Sequence, residues 1–198
     1  MKWVRSLIQV WCDFLFPPLC KGCDEDSSTG LLCPSCWELC SLPDPAYRCS
    51  HCFHEVQSEG LCNVCRFEPS LFFPSAFVFE PSPPAYQLCK EGKEAPEAMA
   101  AFLFVQWERL HWPFPDVVVP LPGAKELAKV FSFWLNSSYM PVLSYCNGLW
   151  ECSVEALEED LIVLILGDKV SLDLLKEAAL ALNQSFPKKI YALTLLRI

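Results

Sequence analysis

Eight of the chain's 13 cysteines lie in four C-x2-C pairs before residue 66. Cys20, Cys23, Cys33 and Cys36 recur as Cys49, Cys52, Cys62 and Cys65 with one constant shift (49 − 20 = 29), so each unit reads C-x2-C, nine residues, C-x2-C. A C-x2-C turn points two sulfurs the same way, and two such knuckles facing each other complete a tetrahedron around one ion. Four thiolates suit zinc, with a single iron as the alternative. A closed all-cysteine set leaves no position for water, so the two ions are read as structural and not catalytic. Sequential quartets are the simpler assignment and a cross-braced arrangement the other. Cys40, His51 and His54 lie close enough to substitute as ligands, but neither quartet lacks a member. The odd cysteine count and the paired spacing argue for metal thiolates in a reducing compartment rather than for disulfides.

The 198 residues are 53% hydrophobic and only 20% charged, which calls for a substantial core and excludes wholesale disorder. The net charge of −9 and a pI near 4.8 have the wrong sign for a chain that binds by neutralising phosphates. Residues 1–68 hold five Lys or Arg and nine Asp or Glu (5 − 9 = −4), and each Zn(Cys)4 centre would add a further −2 or so. Weak or no direct DNA binding follows, because Lys and Arg are scattered and the densest pairs are only Lys90 with Lys93 and Lys188 with Lys189.

These thiolates must be held by something, and the rest of the chain supplies it. Val4, Leu7, Ile8, Trp11, Phe14 and Leu15 recur at helical spacing, which predicts an amphipathic helix over residues 1–18. Gln9 and Asp13 interrupt its apolar run, no small-residue cleavage site follows and Pro17-Pro18 ends it, so it does not read as a signal peptide. No run reaches the roughly 20 apolar residues of a membrane span, and a soluble, cytoplasmic protein with no membrane association is expected. The ribbons occupy 19–68. The proline-punctuated "EPSLFFPSAFVFEPSPP" marks a composition boundary, after which a second domain fills 69–198. There "SAFVFE", "DVVVPLP", "LIVLILGD" and "KKIYALTLLRI" read as strands with the continuous burial of a mostly parallel sheet. Between them "APEAMAAFLFVQWERL", "AKELAKVFSFWLN" and "SLDLLKEAALAL" read as helices, giving an α/β domain. "LILGDKVSLDLL" reads as strand, tight polar turn and helix, the order in which α/β proteins hold phosphates.

The order of these pieces resembles the ComF/GntX family: an amphipathic N-terminal helix, a double zinc ribbon, then a type I phosphoribosyltransferase-like domain. "FLFPPLCKGC" and "LCPSCW" resemble the family's approach to its knuckles, "YQLCKEGKEA" its Leu-Lys-x-x-Gly segment through Lys90 and Gly92, and "DVVVPLP" its Pro-x-Pro strand through Pro120 and Pro122. "VLILGDKVSLDLLKEAALAL" is similar to its phosphoribosyl-pyrophosphate (PRPP) strand, loop and helix. The chain looks like a degenerate member. The resemblance implies two adjacent ribose-binding acids and a Thr-Thr-Gly-x-Thr phosphate turn, whereas Gly167 stands at the first acid, only Asp168 remains and "KVSLD" replaces the turn. Val170 and Leu172 replace residues that tolerate positive φ, Asp173 would compete with a phosphate for the helix dipole, and Ser171 reads as an ordinary N-cap. The basic stretch after Pro122 is replaced by "GAKELAKVFSFW", and the hood has shrunk to "NGLWECSVEALEED".

Three functions stay open on this reading. The first is a non-catalytic factor in DNA uptake and natural transformation, docking a helicase or a single-strand-binding protein. The second is a surviving phosphoribosyltransferase of unknown acceptor, with PRPP and Mg²⁺ held at Lys90 and Asp168. The third is a generic zinc-ribbon adaptor. The first treats Lys90 and Asp168 as vestigial, Lys90 being equally a solvated lysine in "KEGKE" and Asp168 a strand terminator. PRPP and Mg²⁺ are then not expected as ligands. Cys89, Cys146 and Cys152 lack ligand spacing and read as core thiols, and the seven tryptophans mostly as packing.

Overall fold

The computed structural model describes residues 19–27, 31–67, 73–146, 149–153, 161–185 and 187–198. The helix expected over 1–18 and the boundary between 68 and 69 lie outside the described residues. From Ser75 onward the chain forms a five-stranded, all-parallel sheet, preceded by two small cysteine ribbons. Each ribbon ends in one short helix, α1 (Pro34–Glu38) and α2 (Asn63–Phe67). The α/β part runs β1 (Ser75–Phe79), α3 (Pro83–Glu91), α4 (Pro96–Leu110), β2 (Val117–Pro120), α5 (Lys125–Leu135), β3 (Ser138–Tyr139), a hairpin of β4 (Leu143–Cys146) and β5 (Leu149–Cys152), β6 (Ile162–Val170), α6 (Leu172–Asn183) and β7 (Lys189–Arg197).

The sheet order is β1-β7-β6-β2-β3. Alternate residues of the inner strands enter separate cores. Val118, Leu164, Leu166, Tyr191 and Leu193 pack with α3, α4 and α5, while Val117, Val119, Val163, Ile165 and Ala192 pack with α6 and the β4–β5 hairpin. Chain direction explains this division. The steps β1 to β2 and β2 to β3 move across the sheet one way, and β3 to β6 and β6 to β7 move back. Parallel crossovers are right-handed, so opposite directions of travel place their connections on opposite faces. Both faces are therefore covered, which is why these strands read as continuous apolar runs.

Pro120 is tolerated in β2 for a local reason. The Leu121 N–H donates to Leu166 O at 2.8 Å, so the nitrogen of Pro120 faces the β3 side, where β3 has already ended beside Val118. The helix α3, which sequence reading did not separate from the proline-rich boundary, starts as such helices do: Ser82 Oγ accepts from the Ala85 N–H at 3.3 Å, and Pro83 takes the first turn. The β4–β5 hairpin and the two-residue β3 also escaped sequence reading, being short and half polar.

The ribbons are not separate from this layer. Cys20, Leu32, Cys33, Cys36, Cys40 and Phe53 belong to the same buried cluster as Phe77, Phe79, Leu103 and Trp107. Phe53 packs edge-on to Phe77 with ring centroids 5.2 Å apart, and Trp37 lies 6.4 Å from Phe102. Gln106, fully buried on α4, donates from Nε2 to Pro43 O at 3.2 Å. Beside the edge strand β1, the Ser75 N–H donates to His51 O at 2.8 Å, and just beyond its end the Glu80 N–H donates to Ser41 O at 3.2 Å. The ribbons thus flank an apolar edge that would otherwise be a template for another strand.

Stripping metal from the intact chain is therefore expected to disturb the sheet as well as the ribbons. Light scattering and dye binding after treatment with a strong zinc chelator should show self-association and exposed apolar surface. An unchanged monomer with an unchanged melting curve for the α/β part would refute the shared core.

Candidate metal centre and the sheet crevice

The ligand atoms of Cys20, Cys23, Cys33 and Cys36 lie within 4.8 Å of one another, as do those of Cys49, Cys52, Cys62 and Cys65. Each quartet is sequential; the structure does not interleave them. The contacts of Cys23 Sγ with Cys33 Sγ at 3.6 Å and of Cys52 Sγ with Cys62 Sγ at 3.7 Å match the roughly 3.8 Å edge of a tetrahedron with Zn–S bonds of about 2.3 Å. All these cysteines are free thiols, with no disulfide among the described residues. The donor set therefore fits one tetrahedral thiophilic ion in each cage.

The sequence repeat is a structural repeat down to single hydrogen bonds. The Cys33 N–H donates to Cys20 Sγ at 3.1 Å, and 29 residues later the Cys62 N–H donates to Cys49 Sγ at 3.3 Å. The Cys20 N–H donates to Glu25 O, and the Cys49 N–H to His54 O. Asp24 and Phe53, which follow the second cysteine of each first knuckle, both take left-handed backbone at φ 60° and 58°. Bridges Leu19–Asp26 and Arg48–Glu55 close the two turns in the same way.

Thiol ionisation follows the same symmetry. Burial works to raise Cys20, but N–H donors from Cys33, Gly22 and Cys23 outweigh it and bring its pKa down to about 6. At Cys49 burial is outweighed by N–H donors from Cys62, Cys52 and His51, again to about 6. Cys36 and Cys65 are driven well above the ordinary thiol range, first by burial and then by the neighbouring cage sulfurs. Cys23 and Cys52 are raised as well. Cys40, buried beside the first cage, is pushed up to about 11 by burial and by the charge of Cys20.

The other predicted site lies at the carboxyl ends of β2 and β6. These neighbours are followed by α5 on one face and α6 on the other, which is where open α/β sheets form a ligand crevice. The expected polar turn is absent. Strand β6 continues through Asp168 and Lys169 to Val170, paired with β7 as far as Val170–Arg197, and only Ser171 separates it from α6. Pairing to Leu196 and Arg197 carries the backbone past the point where sequence reading ended the strand. Ser171 does cap α6, its Oγ accepting from the Leu174 N–H at 3.3 Å, and Asp173 lies in the first turn.

Asp168 reaches this crevice but meets Lys93, not Lys90: Lys93 Nζ is 3.1 Å from Asp168 Oδ2, and Lys90 is exposed on α3. The signal for Lys93 was present in "KEGKE", yet only the turn after α3 decides which lysine faces the sheet. The cavity there, lined among others by Cys89, Gly92, Lys93, Gly123, Glu126 and Asp168, holds about 90 Å³, below the roughly 300 Å³ of ordinary ligand pockets. Gly167 could carry no acid: a Cβ there would lie 2.6 Å from Val170 Cγ2 and 3.1 Å from both Leu121 Cδ1 and Thr194 Cγ2. Cys89 is buried, as expected of a core thiol, with its pKa raised to about 12 by burial and the charge of Asp168. Cys146 is exposed and Cys152 half-buried, because both sit on the hairpin rather than in the core. Trp107 is fully buried, whereas Trp134 is substantially exposed near the end of α5.

Two measurements test these sites. Zinc needs its ligands deprotonated, and at neutral pH at least Cys23 and Cys36 in one cage and Cys52 and Cys65 in the other must each lose a proton. Affinity should accordingly fall as pH falls, by roughly a hundredfold or more per pH unit near neutrality, and more steeply below about 6 as Cys20 and Cys49 also protonate. Competition with a chromophoric chelator between pH 8 and 5.5 reads this directly, and a flat profile would refute cysteine ligation. Separately, Gly167→Asp should lower stability by at least about 3 kcal/mol through overpacking and a buried carboxylate, and a neutral result in urea unfolding would place residue 167 in open space.

Compared with known protein families, curated proteins and solved structures, the chain matches none of them.

Proposed function

We propose that this protein is a non-catalytic, zinc-stabilised scaffold of ComF-like organisation, serving DNA uptake and natural transformation by docking a protein partner such as a helicase or a single-strand-binding protein. The observation that carries the non-catalytic part is the crevice between β2 and β6. Its loop is reduced to Ser171, its remaining acid is paired with Lys93, and its cavity is too small for a phosphorylated sugar. The link to DNA uptake rests on the resemblance in the order of the chain's pieces. Two zinc ions, one per cage, are the metals this reading assigns; their role is to contribute folding free energy, since the closed sulfur set has no position for a reactant.

Exposed aromatic surface supports a docking role. Ser137 Oγ–H donates to Pro115 O at 2.6 Å, which brings the segment carrying Phe114 beside the end of α5 with Phe133 and Trp134. Phe133 is 82% exposed and Phe114 62%, an uncommon cost for a monomer with no partner. The net charge of −9 leaves nucleic acid to be reached through that partner.

A ligand at 100 times its dissociation constant stabilises a fold by about 2.7 kcal/mol, which for a chain of this size raises the melting temperature by about 5 °C or more. Millimolar PRPP with Mg²⁺ is expected to give no such shift, in the native chain or in Asp168→Ala. A shift that vanishes in Asp168→Ala would install the transferase reading instead. Affinity capture with zinc-loaded protein is expected to retain a DNA-processing protein and to lose it in Phe133→Asp; capture of no such protein would leave the adaptor reading in its place.

A further inference from the structure

The two cages are matched position by position, so a difference between them isolates one cause. Cys23 and Cys52 are equivalent members (23 + 29 = 52), and each receives a backbone N–H from two residues downstream, Glu25 and His54. Their surroundings differ. Cys52 is only 7% exposed, because the next residue, Phe53, is packed on Phe77 and its own carbonyl accepts from the Arg197 guanidinium, itself 4.7 Å from the Phe77 ring. Cys23 is exposed: the next residue is Asp24, and Asp24, Glu25 and Asp26 all stand in water around it. In the second cage Cys49, Cys52 and Cys65 are all buried and Cys62 is half-buried.

We infer that the first cage is the protein's peroxide-sensitive centre, with Cys23 the thiolate attacked first and the second cage the protected one. This rests on the reading that each cage holds zinc. Oxidant susceptibility of cysteine follows thiolate character together with access, and zinc keeps all eight sulfurs as thiolates, which leaves access to decide. Hydrogen peroxide is neutral, so the acidic rim does not repel it.

The chemistry balances within the cage. Cys23 thiolate attacks one peroxide oxygen, the O–O bond breaks, and the departing hydroxide takes a proton to become water. Cys33, whose sulfur lies 3.6 Å away, then attacks the sulfenic sulfur of Cys23, and the second oxygen leaves as water after protonation. Two electrons pass from two thiolates to one peroxide, two protons are consumed, and a Cys23–Cys33 disulfide forms. Only Cys20 and Cys36 remain as ligands, and the zinc ion departs. Because Cys20, Cys33 and Cys36 belong to the core shared with α4, this loss loosens the main layer and not the ribbon tip alone.

The test uses the full zinc-loaded chain, one equivalent of hydrogen peroxide, a chromophoric zinc indicator and peptide mapping after differential alkylation. One zinc is expected to leave roughly tenfold or more faster than the other, with the disulfide mapped to Cys23 and Cys33 while Cys49, Cys52, Cys62 and Cys65 stay reduced. In Arg197→Ala, which uncovers Cys52 and removes no sulfur ligand from either cage, the slow phase should accelerate and the fast phase stay unchanged. Two zinc ions lost together, or first oxidation at Cys52 or Cys62, would overturn the inference while leaving zinc binding intact. A reduced chain that holds fewer than two zinc ions before peroxide is added would instead overturn the metal reading on which it rests.

Discussion

Four sulfurs held a tetrahedron's edge apart, twice in fewer than fifty residues, are the constraint on which the remaining structure leans. A segment of this size cannot bury enough apolar surface to fold by itself, and the two α-helices among its described residues are five residues each. An ion ligated in each cage would compensate for what the ribbon cores lack, and the knuckles that present the sulfurs also present Phe53 and His51 to the sheet. The edge of β1 is consequently flanked by elements built around the two cysteine cages. Occupancy of the cages would in this way be coupled to the stability of the α/β layer.

Handedness does the next part of the work. Right-handed crossovers put α5 and α6 on opposite faces, which opens a crevice between β2 and β6 whatever the chain's chemistry. Here that crevice is filled from within. Strand β6 runs two residues beyond Asp168 in ladder pairing with β7, and Lys93 pairs with the Asp168 carboxylate. Such layers can form whether or not a ligand is held between them, so fold alone is no warrant for catalysis.

The repeat shows how identical backbone geometry acquires different exposure. Asp24 and Phe53 share left-handed φ, and the turns around them share their hydrogen bonds, yet one turn faces water and the other lies on Phe77. A duplicated ribbon has only one sheet edge to cover. In the second copy the turn at Phe53 lies on that edge; in the first the turn at Asp24 stays open while Cys20, Cys33 and Cys36 enter the shared core.

The cysteine quartets and the strand and helix alternation were legible in the residues, because each depends on local spacing or on chemistry near in sequence. C-x2-C geometry is set within four residues, and apolar runs such as "LIVLIL" and "YALTLL" announce strands buried on both faces. Tertiary structure decided the rest. Whether Asp168 ends a strand or continues it depends on β7 offering partners at Leu196 and Arg197, and whether Lys90 or Lys93 meets it depends on the turn after α3. The fusion of ribbons to sheet through Phe53, Phe77, Arg48 and Arg197 joins residues up to 149 positions apart (197 − 48 = 149), and no local pattern encodes such a pairing. Sequence periodicity specifies which face of an element is apolar; only the packed fold specifies what that face meets.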